Sequence, residues 1–92
     1  MSIRTFTAQV YGVVQGVSFR YHTRRCARRL GVFGFVKNMP NGSVYLEATG
    51  SVSMLEELAQ FLREGPPFAS VSKVDINWQK EVKTFTSFEI TF

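Results

Sequence analysis

From residue 4 to residue 11 the chain alternates. Phe6, Ala8 and Val10 point one way, and Thr5, Thr7, Gln9 and Tyr11 point the other. A period of two marks a half-buried strand. Gly12-Val13-Val14-Gln15-Gly16-Val17-Ser18 breaks the alternation with two glycines and reads as a loop. From Phe19 the period lengthens. At about 100° per residue Phe19, Thr23, Cys26, Ala27 and Leu30 share one face, opposite Arg24, Arg25 and Arg28. Gly31 supplies a C-terminal stop, so the pattern predicts an amphipathic helix over Phe19–Leu30.

Residues 32–38 read as a second strand, and Met39-Pro40-Asn41-Gly42 as a hairpin turn into residues 43–49. In that third run Val44, Leu46 and Ala48 face inward, with Tyr45, Glu47 and Thr49 outward. Ser53-Met54-Leu55-Glu56 resembles a capping box opening a second helix. Its apolar stripe is Met54, Leu55, Leu58, Phe61 and Leu62, and Gly65-Pro66-Pro67 ends it. Two further β-like runs follow, Val71–Gln79 and Thr84–Phe92. The order is βαββαβ plus one extra C-terminal strand. Two helices with single apolar stripes suit one face of an antiparallel sheet, leaving the other face partly solvated. The expected fold is a ferredoxin-like α/β sandwich of the α+β class.

Composition narrows the chemistry. Ninety-two residues are read as one domain, 1–92, because a second core is not available at this length. The longest apolar or glycine stretch, Leu30–Val36, is far short of the ~20 residues a membrane span needs. Met1-Ser2-Ile3-Arg4-Thr5 runs straight into the first strand, so no signal peptide is seen and the cytoplasm is the expected address. One Cys and one His do not make a zinc site of the usual kind, and Asp75 is the sole Asp, which leaves little for a Ser-His-Asp arrangement. An enzyme built from this chain works mainly by binding and positioning. The net charge of +4 favours anions, and Arg20, Arg24, Arg25, Arg28 and Arg29 lie close together.

The segment Val14-Gln15-Gly16-Val17-Ser18-Phe19-Arg20 runs from a strand into a helix N-terminus. Unpaired backbone N–H groups and the helix dipole favour an anion there, and a glycine lets several N–H groups curl inward as a nest. Arg20 in the first helical turn opposes the dipole, and a bound phosphate would reverse that sign. On the residues alone a second reading stands beside this one: a tight connection, with Arg20 a surface charge. Asn38, at a strand end, has the same ambiguity, since Asn there often starts a turn.

The run Val10-Tyr11-Gly12-Val13-Val14-Gln15-Gly16-Val17-Ser18-Phe19-Arg20 resembles the first signature of the acylphosphatase family. Gly34-Phe35-Val36-Lys37-Asn38, then Gly42-Ser43-Val44 and Gly50, resemble the second. The resemblance implies a metal-independent hydrolase without cofactor that splits the carboxyl–phosphate bond of acyl phosphates. By that analogy the backbone N–H groups of Gln15, Gly16, Val17, Ser18, Phe19 and Arg20 hold the phosphoryl group. Arg20 pairs with its oxygens, and Asn38 positions the attacking water. The expected partners are a small-molecule acyl phosphate and inorganic phosphate, as product and competitive inhibitor. No nucleic acid or membrane partner is expected, the chain is expected to act as a monomer, and its beginning and end suit a free-standing protein.

Other residues carry less. His22 has no partner in the pattern and reads as a surface residue, and Cys26 on the apolar face as a core thiol. Arg24, Arg25 and Arg28 read as a solvated face able to draw anions inward. Ser18 lacks a base that would make it a nucleophile. An RNA-recognition module shares the element order, and Phe33-Gly34-Phe35-Val36 resembles part of its contact motif, but on the second strand rather than the third. A regulatory anion sensor on the same fold is the remaining alternative.

Overall fold

The computed structural model describes residues 2–92. Its elements are β1 (Ile3–Val13), α1 (Phe19–Leu30), β2 (Phe33–Asn38), β3 (Val44–Ser51), α2 (Val52–Glu64), β4 (Ser70–Trp78) and β5 (Phe88–Ile90). The strands form one sheet in the order β4-β1-β3-β2-β5. β1 pairs antiparallel with β3 and β4, and β2 antiparallel with β3. Each helix carries the chain past one intervening strand, which gives the ferredoxin-like α+β arrangement expected from the element order. The extra strand, whose place the sequence left open, joins the β2 edge and runs parallel to it, so the sheet is mixed.

Register follows the period of two. Phe6, Ala8 and Val10 of β1 lie opposite Ala48, Leu46 and Val44 of β3, and all six are buried against the helices. Phe19, Thr23, Cys26 and Ala27 of α1 and Leu55, Leu58, Ala59 and Leu62 of α2 complete the layer. Phe6, Phe19 and Phe88 are its largest side chains, each contributing about 1.5–3 kcal/mol by leaving water. Burial also pushes the Cys26 thiol pKa up, as suits a packed thiol rather than a nucleophile.

Helix α1 has the expected bounds, but α2 begins two residues earlier than its capping-box pattern indicates. Ser51 is the N-cap, extended at φ −65° and ψ 148°, and its hydroxyl accepts from the Met54 N–H at 3.4 Å. Strand β3 therefore passes directly into the helix, and Ser53 lies inside the first turn.

The last strand is also shorter than its run of β-formers. β4 and β5 occupy opposite edges of the sheet, so residues 79–87 must cross it, and they do so over the face away from the helices. Lys83 is the centre of that crossing. Its N–H donates to Thr5 Oγ1 at 2.9 Å, its carbonyl accepts from Thr49 Oγ1 at 2.8 Å, and its ammonium lies 2.7 Å from Glu47 Oε1. Because the Thr49 proton goes to Lys83, the 2.6 Å contact between Thr5 and Thr49 has Thr5 as donor. Thr5, Glu47 and Thr49, expected on a solvated face, are buried beneath this strap. Among the described residues no helix is long and apolar enough to cross a membrane.

Candidate active site

Strands β1 and β2 are both antiparallel to β3, which lies between them, so they run the same way. Their C-terminal ends open on one side of the sheet. Val44 marks the level: it is in register with Val10 of β1 on one flank and with Asn38 of β2 on the other. The loop after β1, the N-terminus of α1 and the end of β2 are brought together by this pairing. Parallel β5 delivers the last residues to the same end, with the Thr91 N–H donating to Val36 O at 2.9 Å.

The loop backbone is unusual. Gly16 has φ 74° and Ser18 has φ 62°, so two left-handed residues flank Val17. Ser18 is the N-cap of α1, yet its hydroxyl makes no capping bond. A non-glycine residue held in this region costs on the order of 1–3 kcal/mol and persists where its surroundings impose it. Left-handed residues interspersed in a turn are the backbone feature from which anion-binding nests are built. The flanks are anchored, since Val14 and Phe19 are each 1% exposed.

A cleft of ≈ 120 Å³ opens here, lined by Gly16, Ser18, Phe19, Arg20 and Asn38, together with Val14, Tyr21 and Ile90. The Oδ1 atom of Asn38 is buried and has no hydrogen-bond partner. Leaving a buried acceptor unpaired costs about 1–3 kcal/mol, so this oxygen is primed to accept a proton donor. The Arg20 guanidinium makes no ion pair among the described residues and stacks on the ring of Phe92, 5.1 Å from its centroid. A larger hollow of ≈ 580 Å³ lies between α2 and β4, with Glu56 and Arg63 at its wall. Its mixed charge and the lack of an unpaired buried polar atom make it the weaker host for an anion.

A family model described as Acylphosphatase matches residues 6–90. The chain belongs to the acylphosphatase family. An acylphosphatase of Archaeoglobus fulgidus is 45% identical over 83 residues, which is 90% of this chain and 92% of that protein. One from Salinibacter ruber is 46% identical over 84 residues, 91% of this chain and 88% of that protein. Among solved structures, an acylphosphatase from Coxiella burnetii superposes with a TM-score of 0.93 at 36% identity, covering 97% of this chain and 93% of that one. The acylphosphatase of Bacillus subtilis gives a TM-score of 0.94 at 27% identity, covering 99% and 100%. Hydrolysis of acyl phosphates is the activity of the acylphosphatase family, and this chain is a hydrolase of that class.

Within the acylphosphatase frame, the residues singled out from sequence fall into two groups. Gly16, Ser18, Phe19, Arg20 and Asn38 line one cleft. The side chains of Gln15 and Val17 turn away from it: Val17 packs on the core, and Gln15 reaches the β2–β3 turn. Tyr21, Ile90 and Phe92 were not anticipated. Tyr21 follows Arg20 directly, but Ile90 and Phe92 reach the site through parallel pairing at a sheet edge, for which the sequence holds no local signal. The ring of His22 meets that of Tyr21 edge-on, with centroids 5.3 Å apart.

Proposed function

We propose that this chain hydrolyses small acyl phosphates without a metal, by in-line attack of water on phosphorus. In this reading the backbone N–H groups from Gln15 to Arg20 and the Arg20 guanidinium hold the phosphoryl oxygens and screen their charge. Asn38 Oδ1 accepts from the attacking water and aligns it behind phosphorus. The new bond joins the water oxygen to phosphorus, and the bond to the carboxyl oxygen breaks. Carboxylate leaves without needing a proton, and the water's proton passes to a phosphoryl oxygen. The observation that carries this reading is the unpaired, buried Oδ1 of Asn38 at the wall of the cleft that Arg20 also lines. Residues 1–92 then act as one domain and as a monomer, with inorganic phosphate competing for the nest.

The test is metal-free hydrolysis of benzoyl phosphate, followed by loss of its ultraviolet absorbance in the presence of EDTA. Saturable turnover, inhibited competitively by inorganic phosphate, is expected. A folded sample without turnover would return the cleft to anion sensing. RNA binding is disfavoured by the strap: the sheet face on which such a module stacks bases is crossed by residues 79–87, and Phe35 there meets Tyr45 and Phe85.

A further inference from the structure

Gln15 joins the two halves of the site. Its Nε2 lies 2.8 Å from Met39 O and 2.9 Å from Ser43 O, so one NH₂ group serves two carbonyls. Both carbonyls belong to the closure of the β2–β3 hairpin, where the Met39 N–H donates to Ser43 O at 2.8 Å and the Gly42 N–H to Met39 O at 3.1 Å. That turn is braced independently. Asn41 Oδ1 accepts from the Ser43 N–H at 3.1 Å and from its hydroxyl at 2.5 Å, and Gln9 Nε2 donates to Ser43 Oγ at 2.8 Å.

Gln15 thus ties the loop at the residue before Gly16 to Met39, the residue after Asn38. The loop's curl has other supports, since Val14 and Phe19 are buried on either side of it. What Gln15 adds is the separation between that loop and the strand end.

We propose that Gln15 is a positioning residue for the attacking water: through Met39 and Ser43 it sets where the Asn38 carboxamide stands relative to the bound phosphoryl group. Its side chain acts on attack, while phosphate capture is left to the backbone N–H groups of the loop. This rests on the role given to Asn38 above.

The prediction separates kcat from binding. Gln15→Met keeps the shape of the side chain and removes the donors. With misplacement of about 1 Å able to cost 100-fold, kcat is expected to fall about 10- to 100-fold, while KM and inhibition by inorganic phosphate stay within about 3-fold. In an Asn38→Ala background the same substitution is expected to cost less than about 2-fold, because the group it positions is gone. Gln15→Glu provides a second probe if the methionine variant folds poorly. Its carboxylate faces two carbonyl oxygens, and protonation restores one donor, so its turnover relative to the parent is expected to rise as pH falls.

Parallel loss of turnover and phosphate inhibition would overturn the proposal, as would an equal cost of Gln15→Met in both backgrounds. Crippled Asn38→Ala with a normal Gln15→Met variant removes the Gln15 role alone. Normal turnover in Asn38→Ala removes the reading of Asn38, and this proposal with it.

Discussion

The guanidinium of Arg20 and the ring of Phe92 stack 5.1 Å apart, joining the first turn of α1 to the residues beyond β5. The Phe92 residue is 99% exposed, so the stack lies open to solvent. An arginine in a first helical turn is opposed by the helix dipole, and an aromatic face offsets part of that cost. An exposed pair of this kind contributes about 0.5–1 kcal/mol, which corresponds to roughly 2- to 5-fold in affinity. Phe92→Ala is therefore expected to raise KM and weaken phosphate inhibition by that factor, with kcat little changed. Phe92→Trp should keep parent values and Phe92→Leu should not. Equal behaviour of the tryptophan and leucine variants in steady-state assays would make the ring incidental.

Arg20→Lys preserves the charge and discards the fork. A single ammonium cannot address two phosphoryl oxygens in the plane that guanidinium matches. Turnover of benzoyl phosphate is expected to fall at least about 100-fold, the scale seen when one preorganised donor is lost from a developing charge. Circular dichroism should be unchanged, because Arg20 makes no ion pair among the described residues. Near-normal turnover would sink its proposed role.

Gly16→Val separates backbone conformation from crowding. A Cβ at Gly16 meets nothing within 4 Å, so the cost of the substitution lies in its φ of 74°. A side chain in the left-handed region costs roughly 1–2 kcal/mol, which the loop can relieve by relaxing out of the nest geometry. Inhibition by inorganic phosphate is expected to weaken far more than the thermal midpoint drops. A variant that melts much earlier yet binds phosphate normally would contradict the nest.

The strap makes stability respond to pH from both ends. Burial alone would raise the Glu47 pKa, but hydrogen bonds from Lys83 and Tyr45 outweigh it and hold the carboxyl below its ordinary value. With the folded pKa lowered, this contribution is present above the unfolded pKa and is lost as pH falls through the folded one. Tyr45 moves the other way: burial first, then its hydrogen bond to Glu47, pushes its phenol up to about 12. Its contribution is complete below the unfolded value near ~10 and is lost as pH rises through the folded one. Alkaline spectrophotometric titration should show one of the three tyrosines ionising late, and Glu47→Gln should move that step downward. A late step unmoved in Glu47→Gln would remove Glu47 as its cause.

What could be read from sequence, and what could not, divides along the range of the interactions. Helix α1 was legible to the residue because both ends carry local marks, a change of period at Phe19 and a glycine at 31. The loop before α1 and Asn38 were legible as motifs. The end of β1 was harder, since Gly12 broke the alternation while β4 still paired with it through a bulge. Ser51 and Ser53 are two residues apart and both resemble caps; which one serves depends on where β3 ends. Thr84–Phe92 has strand-forming residues throughout, but only Phe88–Ile90 has β2 alongside. Alternation placed Thr5, Glu47 and Thr49 correctly on the face away from the helices, and nothing local says that a distant segment covers them.

The cleft draws on Val14, Gly16 and residues 18–21, on Asn38 and on Ile90, so its walls come from positions near both extremes of the chain. No pair of neighbouring elements forms it, and closing it requires the long-range pairing of β2 with β5, in which Val36 meets Ile90. Such long-range contacts are slow to form. Recovery of turnover during refolding should thus lag the return of helical signal and coincide with completion of the tertiary structure. On that expectation, catalysis in this molecule is a late product of folding.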